Sequence, residues 1–262
     1  MTNRGLTLLA LSLSLFLCNP GTAMADTREA LRLYQGVAVA SLPMERRNFT
    51  QGLYIANQEV FVSSGQYGES AVRVYRWPEM ELLREAELPK DIFAEGLTLI
   101  DNRLFILTWR ENKLLVLDPT TLATLSIGHI GGEGWGITHH GTQLWLSNGS
   151  DKLYRVDLDN GGKVTPISVT RGQRPVYRLN ELEWIEGKIW ANVWMTNDIV
   201  IINPETGAVE AEIALDGLLP KADRRNDTDV LNGIALDPET GAVWVTGKRW
   251  PKLFQIELQP RH

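Results

Sequence analysis

Gln51-Gly52-Leu53, Glu95-Gly96-Leu97, Trp135-Gly136-Ile137 and Asn232-Gly233-Ile234 repeat one short pattern: a polar or aromatic residue, then glycine, then an aliphatic residue. Asn180-Glu181-Leu182 keeps the pattern without its glycine. Recurrence at a period of about 40 to 50 residues is the mark of a repeat architecture in which each copy is one supersecondary unit. Every copy is followed by a tight polar turn and a second apolar run. These are Asn57-Gln58 before 60–63, Asp101-Asn102 before 104–108, His140-Gly141 before 144–147, Glu186-Gly187 before 189–193, and 237–241 before 243–246. The alternation and the turn residues predict a β-hairpin in each unit.

A third strand is predicted after each hairpin, at 72–77, 113–118, 152–158, 198–203 and 252–258, and a fourth follows in the first four units, as at 80–88 and 208–215. The fifth unit reaches the end of the chain at His262 before a fourth strand is completed. The segment 33–42, ahead of the first unit and alternating through Val37 and Val39, can supply it. The expectation is an all-β chain, a five-bladed β-propeller of four-stranded antiparallel blades whose last blade is closed by the N-terminal strand. A sandwich of irregular hairpins would not require copies in register.

Composition narrows the function. Lys and Arg number 26 against 32 Asp and Glu, a formal net charge of −6, so there is no excess of cations to displace counterions from a nucleic acid. Nine tryptophans outnumber six tyrosines and six phenylalanines, and there is one cysteine. Arg4, the apolar run 6–17 and the small-residue triplet Ala23-Met24-Ala25 read as an export signal, residues 1–25, cleaved before Asp26. The run is too short to span a bilayer, which takes about 20 apolar residues. Cleavage removes Cys18. The remainder, 26–262, is then a single propeller domain without thiols or a membrane segment, exported to a bacterial periplasm or secreted, and expected to act as a monomer.

The repeat also points to a site. Inner strands of a propeller line its axis, so the residue opening each copy sits at one end of the channel: Gln51, Glu95, Trp135, Asn180 and Asn232. Thirteen residues past the motif glycine the second strand returns to the same end, at Gly65, Trp109 and Gly149. The equivalent places in the last two units are Trp194 and Lys248. A carboxylate ringed by indoles loses hydration, and its pKa rises toward the range useful for proton transfer, with Lys248 pulling it back. Asn180, Asn232, Gln51 and Lys248 offer donors to a carbonyl oxygen that gains charge. The chemistry implied is acyl transfer on an amide by acid and base catalysis. Trp145, Trp190 and Trp244 lie inside apolar second strands and read as core, and Asn148 and Asn192 as turn or strand residues. The dense glycines 131, 132, 134 and 136 precede no helix and so form no phosphate cradle. No His pair has zinc-ligand spacing, and no Gly-x-Ser-x-Gly elbow is present.

The strings Phe49-Thr50-Gln51-Gly52-Leu53, Phe93-Ala94-Glu95-Gly96-Leu97, Gly134-Trp135-Gly136, Asn180-Glu181-Leu182-Glu183, Trp190-Ala191-Asn192-Val193-Trp194 and Val245-Thr246-Gly247-Lys248-Arg249-Trp250 resemble the plant and bacterial type of glutaminyl cyclase. The resemblance extends over essentially the whole chain after residue 25. It implies a five-bladed propeller that converts the N-terminal glutamine of peptides to pyroglutamate with release of ammonia, without zinc. It further implies Glu95 as proton shuttle, Asn180 and Lys248 on the γ-carboxamide, Trp109, Trp135 and Trp194 as pocket walls, and Gln51, Phe49 and Phe93 completing the binding surface. No cofactor is implied, although the channel leaves room for a structural cation. Two other readings of the same residues stand. In a calcium-dependent propeller hydrolase of lactonase type, Glu95, Asn180, Asn232 and Asp227 or Asp229 would be oxygen ligands. In a non-catalytic peptide-binding propeller the same pocket would only hold its ligand.

Overall fold

The computed structural model describes residues 30–261; the export signal read at 1–25 lies outside them. Strand is the dominant element of the chain. It opens with β1 (Arg32–Pro43). A first four-stranded antiparallel sheet then follows in chain order: β2 (Thr50–Ala56), β3 (Glu59–Ser64), β4 (Ala71–Arg76) and β5 (Leu82–Glu87). The second is β6 (Ala94–Ile100), β7 (Arg103–Thr108), β8 (Lys113–Leu117) and β9 (Thr124–His129). The third is β10 (Ile137–His140), β11 (Gln143–Ser147), β12 (Lys152–Asp157) and β13 (Lys163–Ser168). A two-stranded ribbon, β14 (Thr170–Arg171) and β15 (Arg174–Pro175), leads into β16 (Leu179–Ile185), β17 (Lys188–Val193), β18 (Asp198–Ile202) and β19 (Val209–Ala214). After a short 3₁₀ turn at Lys221–Asp223 come β20 (Leu231–Leu236), β21 (Val243–Gly247) and β22 (Lys252–Pro260). Among the described residues no helix is long and apolar enough to cross a membrane.

The N-terminal strand does more than the sequence suggests. β1 runs antiparallel to β22, pairing Tyr34 with Pro260 and Pro43 with Lys252, in the place of the missing fourth strand. Its first residues also pair in parallel with β19, from Arg32 opposite Ala211 to Gln35 opposite Ala214. That second ladder fuses the last two units into one eight-stranded sheet, where separate four-stranded sheets were expected. Edge hydrogen bonds depend on backbone, not side chains, and so leave no pattern in the sequence.

The inner strands are buried through most of their length: β2, β6, β16 and β20 carry Leu53, Leu97, Leu182 and Ile234, each essentially inaccessible. Apolar side chains between neighbouring sheets form the core. Trp145, Trp190 and Trp244 lie in it as expected, 1%, 7% and 6% exposed. The motif glycines are there because successive inner strands almost touch around the axis. A Cβ on Gly96 would meet the backbone of Trp135, Gly136 and Ile137, and one on Gly52 would meet Gly96 and Leu97. The Gly96 N–H donates directly to the Trp135 carbonyl at 2.7 Å.

Where the glycine is replaced, at Glu181, the side chain crosses the axis. Its two carboxylate oxygens accept the Leu53 N–H (3.4 Å) of the first sheet and the Ile234 N–H (2.9 Å) of β20, at the far edge of its own eight-stranded sheet. Asn192 assists by accepting the Gly233 N–H at 2.9 Å. These contacts tie β16, β2 and β20 together at the centre of the molecule.

Candidate active site

The motif does more than open a strand. In β2, β6, β16 and β20 the pairing with the next strand slips at the motif, between Thr50 and Gly52, Ala94 and Leu97, Leu179 and Leu182, and Leu231 and Ile234. Such bulges re-aim one side chain away from the regular pleat, and they recur beside functional sites. Here they turn the residues that open the motif toward one end of the axis.

At that end lies a cavity of about 290 Å³. It is lined by the nine residues to which the family resemblance gives a role: Phe49, Gln51, Phe93, Glu95, Trp109, Trp135, Asn180, Trp194 and Lys248. Gln66, Met195 and Asp229 also line it. Asn232, the fifth motif residue, sits behind the wall: its Nδ2 donates to the Thr50 carbonyl (3.0 Å) and to Gln51 Oε1 (3.3 Å), fixing the Gln51 amide. Gly65 and Gly149 make room for aromatics. A Cβ on Gly149, whose φ is +78°, would stand 2.7 Å from the Trp135 ring, and one on Gly65 would collide with Phe93.

Glu95 is 5% exposed, yet its carboxylate is nearly free of partners. The Gln51 amide approaches Oε1 at 3.4 Å, and no other side-chain hydrogen bond to it is made within the described residues. Burial pushes its pKa well above the usual carboxylate range; the Lys248 charge opposes this, and Glu133 and Glu111 add to it. Lys248, also 5% exposed, is held below the ordinary lysine value by burial, with Glu95 and Asp229 pulling the other way. Its Nζ stands 5.0 Å from the centre of the Phe49 ring. Asn180 is 2% exposed, and its Oδ1 is buried with no partner among the described residues, an acceptor left open beside the cavity. Its backbone carbonyl is anchored by Ser147 Oγ at 2.7 Å.

The walls are stacked edge to face. Phe93 packs on Trp109 at 5.4 Å and on Phe49 at 6.4 Å, and Trp135 packs on Trp194 at 5.5 Å with the rings 86° apart. Tyr67 adds its ring to Phe93 from outside, at 5.4 Å. The cavity thus offers flat apolar walls, one poorly solvated carboxylate, one cation and an unpaired amide. That set can grip a small amide and move a proton across it.

Sequence reasoning missed Gln66 and Met195, which lie just beyond β3 and β17 in loops outside the repeat. It also missed Glu111 and Glu133, two carboxylates outside the lining that hold the walls in place. Glu111 Oε1 accepts the Tyr67 hydroxyl at 2.7 Å, and Glu133 Oε2 accepts the Trp109 and Trp135 indole N–H groups. Of the residues a calcium site would need, Glu95, Asn180 and Asp229 line the cavity. Asn232 is engaged by Gln51 and Thr50, and Asp227 lies 3.9 Å from Arg249.

The comparisons with known proteins converge on one family. Residues 8–258 match the family model described as glutamine cyclotransferase. The glutaminyl-peptide cyclotransferase of Arabidopsis thaliana is 39% identical over 237 residues, covering 87% of this chain and 72% of that protein. The crystal structure of Myxococcus xanthus glutaminyl cyclase superposes with a TM-score of 0.80 at 30% identity, over 89% of this chain and 100% of the other. With the family model spanning almost the whole sequence and the solved relative sharing its fold, the chain belongs to the glutamine cyclotransferase family.

Proposed function

We propose that this protein is a glutaminyl-peptide cyclotransferase that closes the N-terminal glutamine of peptides into pyroglutamate, releases ammonia and works by acid and base catalysis without a metal. The observation that carries the reading is Glu95: a 5% exposed carboxylate on a tryptophan-walled cavity, nearly unpartnered, with Lys248 and Asn180 on the same cavity.

In the reaction the α-amine nitrogen attacks the γ-carboxamide carbon, a five-membered lactam forms, and the bond to the amide nitrogen breaks. The α-ammonium first loses one proton to solvent; Glu95 takes the second from the attacking nitrogen as the ring closes and delivers it to the departing nitrogen, so that ammonia rather than amide anion leaves. Its raised pKa makes both transfers accessible near neutral pH. Lys248 and the Asn180 amide face the carbonyl oxygen as it gains negative charge, and the open Asn180 Oδ1 accepts the carboxamide N–H. Trp109, Trp135 and Trp194 hold the glutamine side chain curled. Because nucleophile and electrophile sit in one residue, orientation supplies a large share of the acceleration. Gln51, braced by Asn232, fixes the Glu95 oxygen that it contacts.

The same reading supplies the finer architecture. The three separate sheets are blades, and the eight-stranded sheet is two blades joined through β1, which makes five. Residues 26–262 form this single domain, exported after loss of 1–25 and acting as a monomer on peptide amino termini, with no nucleic-acid or membrane partner. Incubation with a glutamine-initiated peptide tests the activity: ammonia and pyroglutamyl peptide should appear in equal amounts and persist in a strong chelator. A folded protein that binds the peptide and releases no ammonia would leave only the binding-propeller reading, and loss of activity in chelator would favour the calcium-dependent one.

A further inference from the structure

The glycine-dense loop that the phosphate-cradle reading leaves without a role carries one acidic residue, Glu133, between Gly132 and Gly134. One oxygen of its carboxylate, Oε2, accepts two hydrogen bonds, from Trp109 Nε1 at 3.0 Å and from Trp135 Nε1 at 3.1 Å. These indoles belong to different sheets, one following β7 and the other preceding β10, and both line the cavity. The other oxygen, Oε1, lies 3.6 Å from Arg110 Nε, and the Arg110 guanidinium in turn covers the Trp109 ring at 3.7 Å. The constraint extends further, because Trp135 meets Trp194 edge to face. All three tryptophan walls are therefore referred to one carboxylate.

We infer that Glu133 is a positioning residue of the cyclisation site: by accepting both indole N–H groups on one oxygen it sets the gap between Trp109 and Trp135, and so how tightly the glutamine side chain is held. The inference rests on the proposed activity and adds a residue to it. An indole has a single donor and no acceptor, so a wall built from two indoles cannot fix its own spacing through hydrogen bonds; a shared acceptor can. The carboxylate suits this better than a neutral group because charge-assisted bonds are shorter and stronger. The loop's glycines suit it as well. Gly134 cannot carry a Cβ without meeting Leu107, Thr108 and Ile130, so the chain can run against β7 only with glycine there, and Gly132 adopts φ +109°. Glu133 itself is exposed, so changing it leaves the core untouched.

Glu133 also bears on Glu95 through its charge, in the same direction as Glu111 and against Lys248. The two effects separate in two variants. Glu133→Gln keeps an acceptor oxygen for the indoles and removes the charge; Glu133→Ala removes both. For a glutamine-initiated peptide, Glu133→Ala should raise KM about 5- to 10-fold while kcat changes less than about threefold, since a looser wall weakens binding more than proton transfer. Glu133→Gln should restore KM to within about twofold of the unmodified protein. In both variants the acid limb of the kcat profile should move to lower pH, because Glu95 loses a neighbouring negative charge and ionises more easily. The near-ultraviolet circular dichroism of the indoles should change in Glu133→Ala and be retained in Glu133→Gln, a readout that needs no turnover. An unchanged KM and indole spectrum in Glu133→Ala would overturn the inference, as would a Glu133→Gln variant no better than the alanine. If the unmodified protein released no ammonia, the proposed activity would fail, while the indole spectra would still decide whether Glu133 sets the wall.

Discussion

The two ends of the inner strands hold buried carboxylates in opposite circumstances. At the opening end Glu95 is 5% exposed and touched by one amide at 3.4 Å, and it borders the cavity walled by tryptophan. Toward the closing end Glu183 is 4% exposed, beside a second cavity of about 310 Å³ lined by Tyr54, Thr138 and His139 among others. Its oxygens are taken up by the fold: Oε1 accepts the Leu236 N–H at 3.1 Å and Oε2 faces the Thr138 hydroxyl at 3.5 Å. Between them Glu181 spends both oxygens on the backbone of two other inner strands, β2 and β20. Burial raises the pKa of all three, Glu183 to about 8. A raised pKa alone therefore does not mark the catalytic group. What separates Glu95 is that its lone pairs face a space where a substrate fits and that a lysine stands with it on the cavity wall.

The largest effect that would break this contrast concerns activity. Glu95→Gln keeps shape and hydrogen bonding, so the melting temperature should hold while turnover falls about 10²- to 10⁴-fold, the usual worth of a positioned proton-transfer group. Lys248→Met should cost roughly 2.7 to 4 kcal/mol in kcat/KM if the ammonium stabilises the carbonyl oxygen in the transition state; a loss confined to KM would reduce Lys248 to ground-state binding.

Glu181→Ala should show the reverse pattern. It strands the Leu53 and Ile234 N–H groups at the axis, each costing about 1 to 3 kcal/mol when buried without a partner. Denaturation should shift strongly, while activity per folded molecule stays near that of the unmodified protein. Equal stability in Glu181→Ala and Glu95→Gln would erase the distinction between clasp and catalyst.

The smallest effect is a pH dependence. Glu183 titrates near 8 in the folded protein and near 4.5 when unfolded, so between these values the folded state binds more protons and its stability declines as pH rises. Glu183→Gln should flatten that part of the decline, measured as denaturation midpoint against pH. A slope identical to that of the unmodified protein would mean that Glu183 does not titrate in this window.

Much of the site was readable in the sequence because a propeller converts chain spacing into position. Glu95, Trp135 and Asn180 share a motif place, while Trp109, Trp194 and Lys248 share the return of the second strand, and all six line one cavity. Other features were hidden for identifiable reasons. Asn232 holds a motif place but spends its amide on Gln51 and the Thr50 carbonyl, which only the local backbone geometry decides. Glu133 and Glu111 lie in loops, outside the repeat, where no periodicity reports their direction. The bulges at the motif glycines and the parallel pairing of β1 with β19 are backbone events that a side-chain pattern does not encode. The missing glycine at Glu181 was visible as a departure from the pattern; its meaning as an axial clasp needed the strands on either side.

The central claim is that Glu95 moves the proton in an ammonia-releasing cyclisation, and parallel ammonia assays of the unmodified protein and Glu95→Gln on one glutamine-initiated peptide test it most directly. The expected result is pyroglutamyl peptide and ammonia in equal amounts from the first, and a rate at least about 10²-fold lower from the second at an unchanged melting temperature. Equal rates from the two proteins would contradict the account.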